Sequence, residues 1–351
     1  MKAAIQEIFA KWSGKYSGSC LVKSAEETIF AAAAGYANLA CGAANQVTTK
    51  YDTASVTKLF TAAAALLLVE RGLLRLDDKI TDVIDLAGTM IPRDVTIAQL
   101  LNHTSGIADD AEEEDGEDYS ALFVTKPNYS IRECEDFLPQ FAYKKPNFQA
   151  GTAVRYNNCA FVLLGMAIEK LSGLRYRDFV AREIFEKCNM QHTKFCAMDE
   201  VNPNTAEGYI TIVDPNTKAE TFRKNIYAFP PRGTPDSGAY TTVADLDRFI
   251  RAIVNAELLS PQYAKAMLEP HCSFTRPHRC GTWASGYAFE FVLTPKKEVF
   301  CIFKDGMNAG VEAMAAYYPK LDISVCLLSN QNGVLYDLHR ELQAYFYQIG
   351  I

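Results

Sequence analysis

The hydrophobic pattern of the chain changes near residues 75 and 205, and these two changes restrict the folds that it can adopt. The amino-terminal part contains two short β-prone runs, SGSCLVKSA and ETIFAAAAGYAN, separated by a polar turn. Residues 76–204 alternate helical patterns with polar loops and have little strand character. After residue 205 the strand pattern returns in four runs, SGYAFEFVL, EVFCIFKDG, VEAMAAYYP and DISVCLLSNQ. Both ends of the chain therefore contain strand patterns, which the middle of the chain lacks.

The simplest architecture is an α/β fold in which both ends of the chain build one lobe. Residues 1–75 and 205–351 would supply an antiparallel sheet flanked by helices, and residues 76–204 would form an inserted, mainly helical lobe. The spacing of apolar residues predicts an amphipathic helix at the amino terminus and several later helices. These later helices are predicted over Leu59–Arg71, Ile97–Leu101, Cys159–Leu171, Tyr176–Lys187, Val243–Val254 and Leu335–Ile349. Gly72 stands where a helix usually ends in a left-handed residue.

The charge and hydropathy of the chain exclude several classes of partner. Its 35 Lys and Arg residues and 42 Asp and Glu residues give a net charge of −7, and the basic residues are scattered. We therefore expect neither nucleic acid nor an anionic membrane surface as a partner. No uncharged apolar stretch reaches the ~18–20 residues that cross a bilayer, so no transmembrane helix is expected.

Two further features bear on the compartment. Charges at Lys2, Glu7 and Lys11 interrupt the first predicted helix, so we expect no signal peptide. The 10 cysteines lie mostly inside apolar segments, as reduced and buried thiols do. The sequence therefore predicts a cytoplasmic protein.

Two polar segments are candidates for loops. The acidic run ADDAEEEDGEDYS, residues 108–120, has few apolar side chains and should form a solvated loop, with a lid over a site as the alternative. The segment HCSFTRPHRC offers His271, Cys272, His278 and Cys280 as possible zinc ligands. It lacks the paired spacing that is usual for zinc, so we expect a loop there, and no metal or other cofactor.

The segment YDTASVTK, residues 51–58, places Ser55 three residues before Lys58 at the start of a predicted helix. Residues at i and i+3 share one face of a helix, so the amine can reach the hydroxyl. A lysine in its neutral form can take the proton of a serine, and the N–H groups of the helix end lie close by. This spacing arises about once by chance in a chain of this length, so an ordinary helix-start serine remains open.

Two distant motifs bear on whether Ser55 is a nucleophile or an ordinary helix-start serine. Tyr-x-Asn occurs at 36–38 and again at 156–158, and Lys-x-Gly occurs at 304–306. In chain order, SVTK, YNN and KDG resemble the three active-site motifs of the penicillin-recognising serine hydrolases. The likeness is closest to the class C β-lactamases and their relatives among esterases, DD-peptidases and D-aminopeptidases. GYAN, LLNHTSGI and SGYAFEF extend the resemblance over most of the chain.

The resemblance implies a role for each motif residue. Ser55 would be the nucleophile, with Lys58 beside it. Tyr156 would act as the general base, because the ammonium groups of Lys58 and Lys304 stabilise its phenolate form. Asn158 would orient Lys58 and contact the substrate. His103, in LLNHTSGI, would close a helix and turn and take no part in catalysis.

The last motif implies substrate recognition. Lys304 and Gly306 would bind the substrate, Lys304 through a substrate carboxylate. The backbone amides of Ser55 and Met307 would bind the oxyanion of the tetrahedral intermediate. Asp305 departs from the small hydroxyl residue that is usual between the lysine and the glycine, and its charge opposes the binding of a carboxylate.

The resemblance implies a β-lactamase/transpeptidase-like fold with the active site between the two lobes. The expected activity is hydrolysis of a small-molecule ester, amide or peptide through an acyl-enzyme on Ser55, with a β-lactam among the possible substrates. The alternative is a penicillin-binding or sensor protein of the same fold that does not turn over.

Overall fold

One large antiparallel sheet organises the molecule, and the computed structural model describes residues 1–350. The strands are β1 Gly18–Ser24, β2 Thr28–Ala34, β3 Tyr36–Asn38, β4 Ala43–Ala44, β5 Tyr51–Asp52, β6 Tyr209–Val213, β7 Glu220–Lys224, β8 Tyr240–Thr241, β9 Pro270–His278, β10 Gly281–Gly286, β11 Glu290–Leu293, β12 Val299–Asn308, β13 Val311–Tyr318 and β14 Ile323–Ser329. Eight of them form the main sheet in the order β2-β1-β14-β13-β12-β11-β10-β9. All neighbours in this sheet are antiparallel.

Helices cover both faces of this sheet. They are α1 Lys2–Trp12, α2 Lys58–Glu70, α3 Ile80–Val83, α4 Ile97–Leu101, α5 Leu122–Thr125, α6 Leu138–Phe141, α7 Cys159–Ser172, α8 Tyr176–Val180, α9 Val243–Val254, α10 Pro261–Met267 and α11 Leu335–Gly350. The two terminal helices, α1 and α11, pack against each other and enclose one apolar core with the sheet. None of the helices within residues 1–350 combines the length and the hydropathy needed to cross a membrane.

The second core is larger and lies around helix α2. This helix is rich in alanine and leucine, and every side chain from Lys58 to Leu68 is buried, including the lysine. Small side chains let neighbouring helices approach closely on all sides of a helix. Helices α7 and α8 pack on it from the middle of the chain, and α10 packs on it from the carboxy-terminal part. The amino-terminal end of α2 is thereby fixed between elements from distant parts of the chain.

The structure confirms most of the predicted elements. The first two β-prone runs form an antiparallel hairpin, and the four late runs form consecutive antiparallel strands. The predicted helices Ile97–Leu101 and Val243–Val254 have those bounds, and Gly72 is left-handed with φ +69°. Among the described residues no strand lies between β5 and β6. The division into two lobes stays a prediction.

The expectation of a solvated acidic loop at residues 108–120 is wrong for its first part. Asp109 and Asp110 are only 2% exposed. The carboxylate of Asp109 accepts the backbone N–H groups of Asn158 and Cys159, at 2.8 and 2.9 Å, which satisfies the start of helix α7. Burial, with the charges of Asp109 and Asp236, raises the pKa of Asp110 well above its usual range. The raised pKa favours the neutral form of the Asp110 carboxyl, and this form can be buried at a lower cost than the charged one.

Phe60 of α2 shows how the large core is joined. Its ring is fully buried and meets Phe185 and Phe249 edge-on, with centroids 5.1 and 4.8 Å away. Phe185 follows helix α8 and Phe249 belongs to α9, so one side chain joins elements from the middle and the carboxy-terminal part of the chain.

We predict that Phe60→Ala lowers the free energy of unfolding by about 3–5 kcal/mol, because it leaves a cavity between two aromatic rings. Urea denaturation followed by tryptophan fluorescence measures the change. Val124→Ala is the control, because Val124 is 82% exposed and its truncation should change stability by less than about 0.5 kcal/mol. Equal stability of the two variants would contradict this account of the core.

Candidate active site

Ser55 lies on a short 3₁₀ turn, Ala54–Thr57, that runs directly into helix α2. The turn is set by its flanking residues: Ala54 has a left-handed backbone with φ +43°, and its N–H donates to Asp52 Oδ1 at 2.7 Å. A left-handed alanine costs about 1 kcal/mol or more, so the surrounding contacts hold this conformation in place. Gly306 of strand β12 packs against the turn so closely that a Cβ atom there would lie 2.9 Å from the Ser55 nitrogen.

Lys58 is the buried centre of the site. Its side chain is 0% exposed, and Nζ donates to Ser55 Oγ at 3.1 Å, to Asn158 Oδ1 at 2.7 Å and to the Asp236 carbonyl at 2.9 Å. Three acceptors match the three protons of an ammonium group. The spacing in SVTK therefore does bring the amine to the hydroxyl, and Asn158 contacts the lysine from the start of α7.

Tyr156 reaches the same serine from the opposite side. Its hydroxyl donates to Ser55 Oγ at 2.6 Å. Two ammonium groups lie near its ring, with Lys58 Nζ and Lys304 Nζ at 4.9 and 4.8 Å from the centroid. The other Tyr-x-Asn segment forms strand β3, where Tyr36 is 49% exposed. Of the two tyrosines, the second is the one that contacts Ser55.

Lys304 is buried in strand β12 and is held by carboxylates. Its Nζ donates to Glu290 Oε1 at 2.7 Å and to Asp305 Oδ1 at 3.4 Å, while Trp283 donates to the other oxygen of Glu290 at 2.6 Å. Burial opposes the charged form of Lys304, but the charges of Glu290, Tyr156 and Asp305 outweigh it and raise the pKa of the lysine. The lysine therefore stays protonated and is not free of counter-ions.

A cavity of about 550 Å³ opens in front of Ser55. It is lined by Ser55, Tyr156, Lys304, Gly306 and Met307 among the predicted residues, together with His103, Glu113, Glu114, Val154, Arg276, Pro277, His278, Trp283, Glu290, Asp305 and Tyr336. Its size suits a small molecule or the end of a peptide. The backbone of Ser55 and that of residues 306–307 meet at this cavity, where the oxyanion donors were expected.

The acidic segment forms part of the cavity wall. Glu113 Oε2 accepts from Asn158 Nδ2 at 3.1 Å, and Glu114 Oε1 accepts from the Tyr156 backbone N–H at 3.2 Å. Glu114 also pairs with Arg276 of strand β9 at 3.4 Å. Glu113 and Glu114 are exposed to solvent, as expected for a solvated loop, and their contacts also place them at the border of the site.

His103 is buried beside the ring of Tyr156. It has a left-handed backbone with φ +63° after helix α4, and its ring lies 4.7 Å from that of Tyr156. Nδ1 accepts the backbone N–H of Asn157 at 3.2 Å. Burial, with the charges of Lys304 and Lys58, lowers the pKa of the imidazole well below its usual range. A neutral ring in this place supports Tyr156 and agrees with the turn expected from LLNHTSGI.

The loop expected for the segment HCSFTRPHRC is wrong, because residues Pro270–His278 pair with β10 and form the edge strand β9 of the main sheet. The possible zinc ligands of this segment do not form a cluster. His271 stacks on Tyr287 with ring centroids 4.0 Å apart, and Cys280 lies at the hairpin between β9 and β10. Within residues 1–350, the only group of metal-ligating atoms close enough together is Asp109, Asp110 and Cys159. The Asp109 carboxylate of that group already accepts two backbone N–H groups at the start of α7.

The sequence prediction missed Glu290, Trp283, Asp109 and Glu113. Glu290 lies inside the run SGYAFEF, where its neighbours in the sequence are apolar. An acidic side chain in an otherwise apolar strand was the available signal, because a buried carboxylate requires a charged or hydrogen-bonding partner. Nothing in the spacing of the acidic run distinguished Asp109 from its neighbours.

Comparison with known proteins agrees with this fold. A family model described as Beta-lactamase matches residues 17–347. Penicillin-binding protein 4* of Bacillus subtilis is 27% identical over 296 residues, which cover 81% of this chain and 61% of that protein. The chain thus spans less than two thirds of the length of that relative. Penicillin-binding protein 4 of Amycolatopsis lactamdurans is 24% identical, with 93% and 84% of the two chains covered.

Solved structures give the same result. A crystal structure of a penicillin binding protein from Bacillus halodurans has a TM-score of 0.89 and 32% identity, and the match covers 97% of this chain and 99% of that one. The D-amino acid amidase from Ochrobactrum anthropi SV3 has a TM-score of 0.77 at 19% identity, covering 99% and 98%, and supports the fold alone. The expected β-lactamase/transpeptidase-like fold is confirmed, and the chain belongs to the Beta-lactamase family.

Proposed function

We propose that this protein is a serine hydrolase that forms an acyl-enzyme on Ser55. One observation carries the proposal: Ser55 Oγ lies 2.6 Å from the hydroxyl of Tyr156 and 3.1 Å from Nζ of Lys58, at the mouth of a cavity. A serine with two proton-transfer groups within hydrogen-bond distance is the arrangement that nucleophilic catalysis requires. A serine that only begins a helix needs neither group.

In the acylation step the reactive form of Tyr156 is the phenolate. It takes the proton of Ser55 as Oγ bonds to the carbonyl carbon of the substrate, and a tetrahedral oxyanion forms. The backbone amides of Ser55 and Met307 are the proposed donors to that oxyanion. The oxyanion collapses, the bond from carbon to the leaving group breaks, and the proton held by Tyr156 passes to the leaving amine or alcohol.

Deacylation repeats these steps with water as the nucleophile. Tyr156 takes a proton from water, the hydroxide adds to the ester carbon, and the proton returns to Ser55 Oγ as the acid leaves. Lys58 remains bound to Asn158 and the Asp236 carbonyl throughout, and its charge favours the phenolate. Lys304 adds a second ammonium beside the ring.

The substrate class is an ester or an amide, with a D-amino-acid peptide or a β-lactam among the candidates. One structural relative is named a D-amino acid amidase, and others are named penicillin-binding proteins. The second candidate function is a penicillin-binding or sensor protein that is acylated without turnover. We also propose a reducing, cytoplasmic location, because the 10 cysteines are all free and eight of them are buried.

The first test is Ser55→Ala. The wild-type protein should hydrolyse a p-nitrophenyl ester, and the substitution should lower kcat by about 10³-fold or more, because the attacking oxygen is lost. Labelling with a fluorescent penicillin, followed by mass spectrometry, detects acylation of Ser55. Ser130→Ala, on an exposed turn, is the control and should keep full activity.

Each result of this experiment selects one function. Ester turnover that depends on Ser55 supports the hydrolase. A stable penicillin adduct without turnover favours the sensor. Unchanged ester hydrolysis in Ser55→Ala would refute Ser55 as the nucleophile.

The second test is Tyr156→Phe. Removal of the phenol oxygen should slow acylation by about 10²-fold or more, the usual contribution of a general base, while the ring stays between the two lysines. Stopped-flow measurement of the acylation rate checks this result. Tyr143→Phe serves as the control, because Tyr143 is 60% exposed. A Tyr156→Phe enzyme that acylates at the wild-type rate would exclude Tyr156 as the base.

A further inference from the structure

Several hydrogen-bond donors that border the cavity already contact carboxylates. Lys304 donates to Glu290 and Asp305. Nδ2 of Asn158 donates to Glu113, at 3.1 Å. A substrate group that accepts hydrogen bonds, such as a carboxylate, would compete with these carboxylates for the same donors.

Arg276 completes this pattern. Its guanidinium pairs with Glu114 at 3.4 Å and lies 5.3 Å from the ring centroid of Trp283. The two cations of the cavity wall, Lys304 and Arg276, therefore both have carboxylate partners. The carboxylates of the cavity wall can still accept hydrogen bonds. An ionised carboxylate offers about four lone-pair positions, and each of these carboxylates uses only some of them.

The charge of the cavity wall follows from these residues. Its carboxylates are those of Glu113, Glu114, Glu290 and Asp305. They outnumber the nearby cations, which are Lys304 and Arg276 of the wall and Lys58, whose Nζ contacts Ser55. The imidazoles do not change the balance: burial and neighbouring cations lower the pKa values of His103 and His278. The wall around the substrate position is therefore net negative.

Two of the acidic groups lie close to the nucleophile. Glu113 is bound to Asn158, whose other amide atom accepts from Lys58, the lysine that contacts Ser55. Asp305 precedes Gly306, which packs against the Ser55 backbone. Glu113 and Asp305 thus border the substrate position from two different elements, one from the acidic segment and one from strand β12.

We propose that the substrate carries a positive charge on its acyl part, close to the scissile carbonyl, and that Glu113, Glu114 and Asp305 bind it. This inference rests on the proposed hydrolase function. A positively charged group is attracted to these carboxylates even where it has no N–H to donate, and it leaves the contact between Lys304 and Glu290 intact. Lys304 already has two carboxylate partners, so a substrate carboxylate gains less from this lysine than it would from a lysine without counter-ions.

Three p-nitrophenyl esters of equal acyl length test the proposal on the full-length wild-type protein. They are the ester of γ-trimethylammoniobutyric acid, its neutral isostere in which a tert-butyl carbon replaces the nitrogen, and the anionic monoester of glutaric acid. The expected kcat/KM is at least about tenfold higher for the cation than for the neutral ester, and lowest for the anion. Added salt should reduce the preference, because it screens partly exposed charges.

Three variants then test which residues bind the positive charge of the substrate. Glu113→Gln, Glu114→Gln and Asp305→Asn should each lower the ratio of kcat/KM for the cationic and the neutral ester by about threefold to tenfold. The ratio is independent of changes that affect both esters equally. Glu298→Gln is the matched control, because Glu298 pairs with Lys320 on the surface and should leave the ratio unchanged.

The outcomes separate this inference from the proposed function. Hydrolysis of the neutral or the anionic ester as fast as the cationic one, dependent on Ser55, would overturn the inference and keep the hydrolase. A wild-type preference that none of the three variants reduces would also overturn it. Absence of any reaction with all three esters and with penicillin would refute the hydrolase, and with it the inference.

Discussion

The three hydrogen bonds of the buried Lys58 ammonium are the contacts on which the rest of the site depends. They join helix α2, the start of helix α7 and the loop that carries Asp236. A buried ammonium without partners is very unfavourable, so each acceptor must arrive at a defined place for the fold to be stable. The same requirement fixes Ser55, because its hydroxyl is one of the three acceptors. The same contacts thus stabilise the buried lysine and fix the position of Ser55.

Lys304 shows a different solution to the burial of a positive charge. Lys58 contacts neutral oxygens and keeps its field, whereas Lys304 contacts the carboxylates of Glu290 and Asp305. Since opposite charges at about 3 Å largely cancel at longer range, the carboxylates of Glu290 and Asp305 reduce the field of Lys304. The two lysines are equally close to the ring of Tyr156, but they are not electrostatically equivalent.

Much of the fold and the centre of the site could be predicted from the sequence. Apolar periodicity located α4 and α9 and the late strands, and the SVTK spacing brought Lys58 to Ser55. The pairing with Tyr156 needed a resemblance, because a separation of about a hundred residues carries no periodicity. The acidic surroundings were not predictable in the same way. Whether Asp109 caps a helix or faces water depends on tertiary contacts, and the acidic composition of residues 108–120 suggested water.

The unpredicted carboxylates also explain how one segment can serve both stability and recognition. Asp109 satisfies the first N–H groups of α7, the helix that carries Asn158 at its start. Four residues later along the same segment, Glu113 contacts that asparagine from the cavity side. Because Glu113 follows Asp109 closely in the chain, the position of Asp109 restricts the position of Glu113. The position of Glu113 at the cavity is consequently linked to the contacts that begin helix α7.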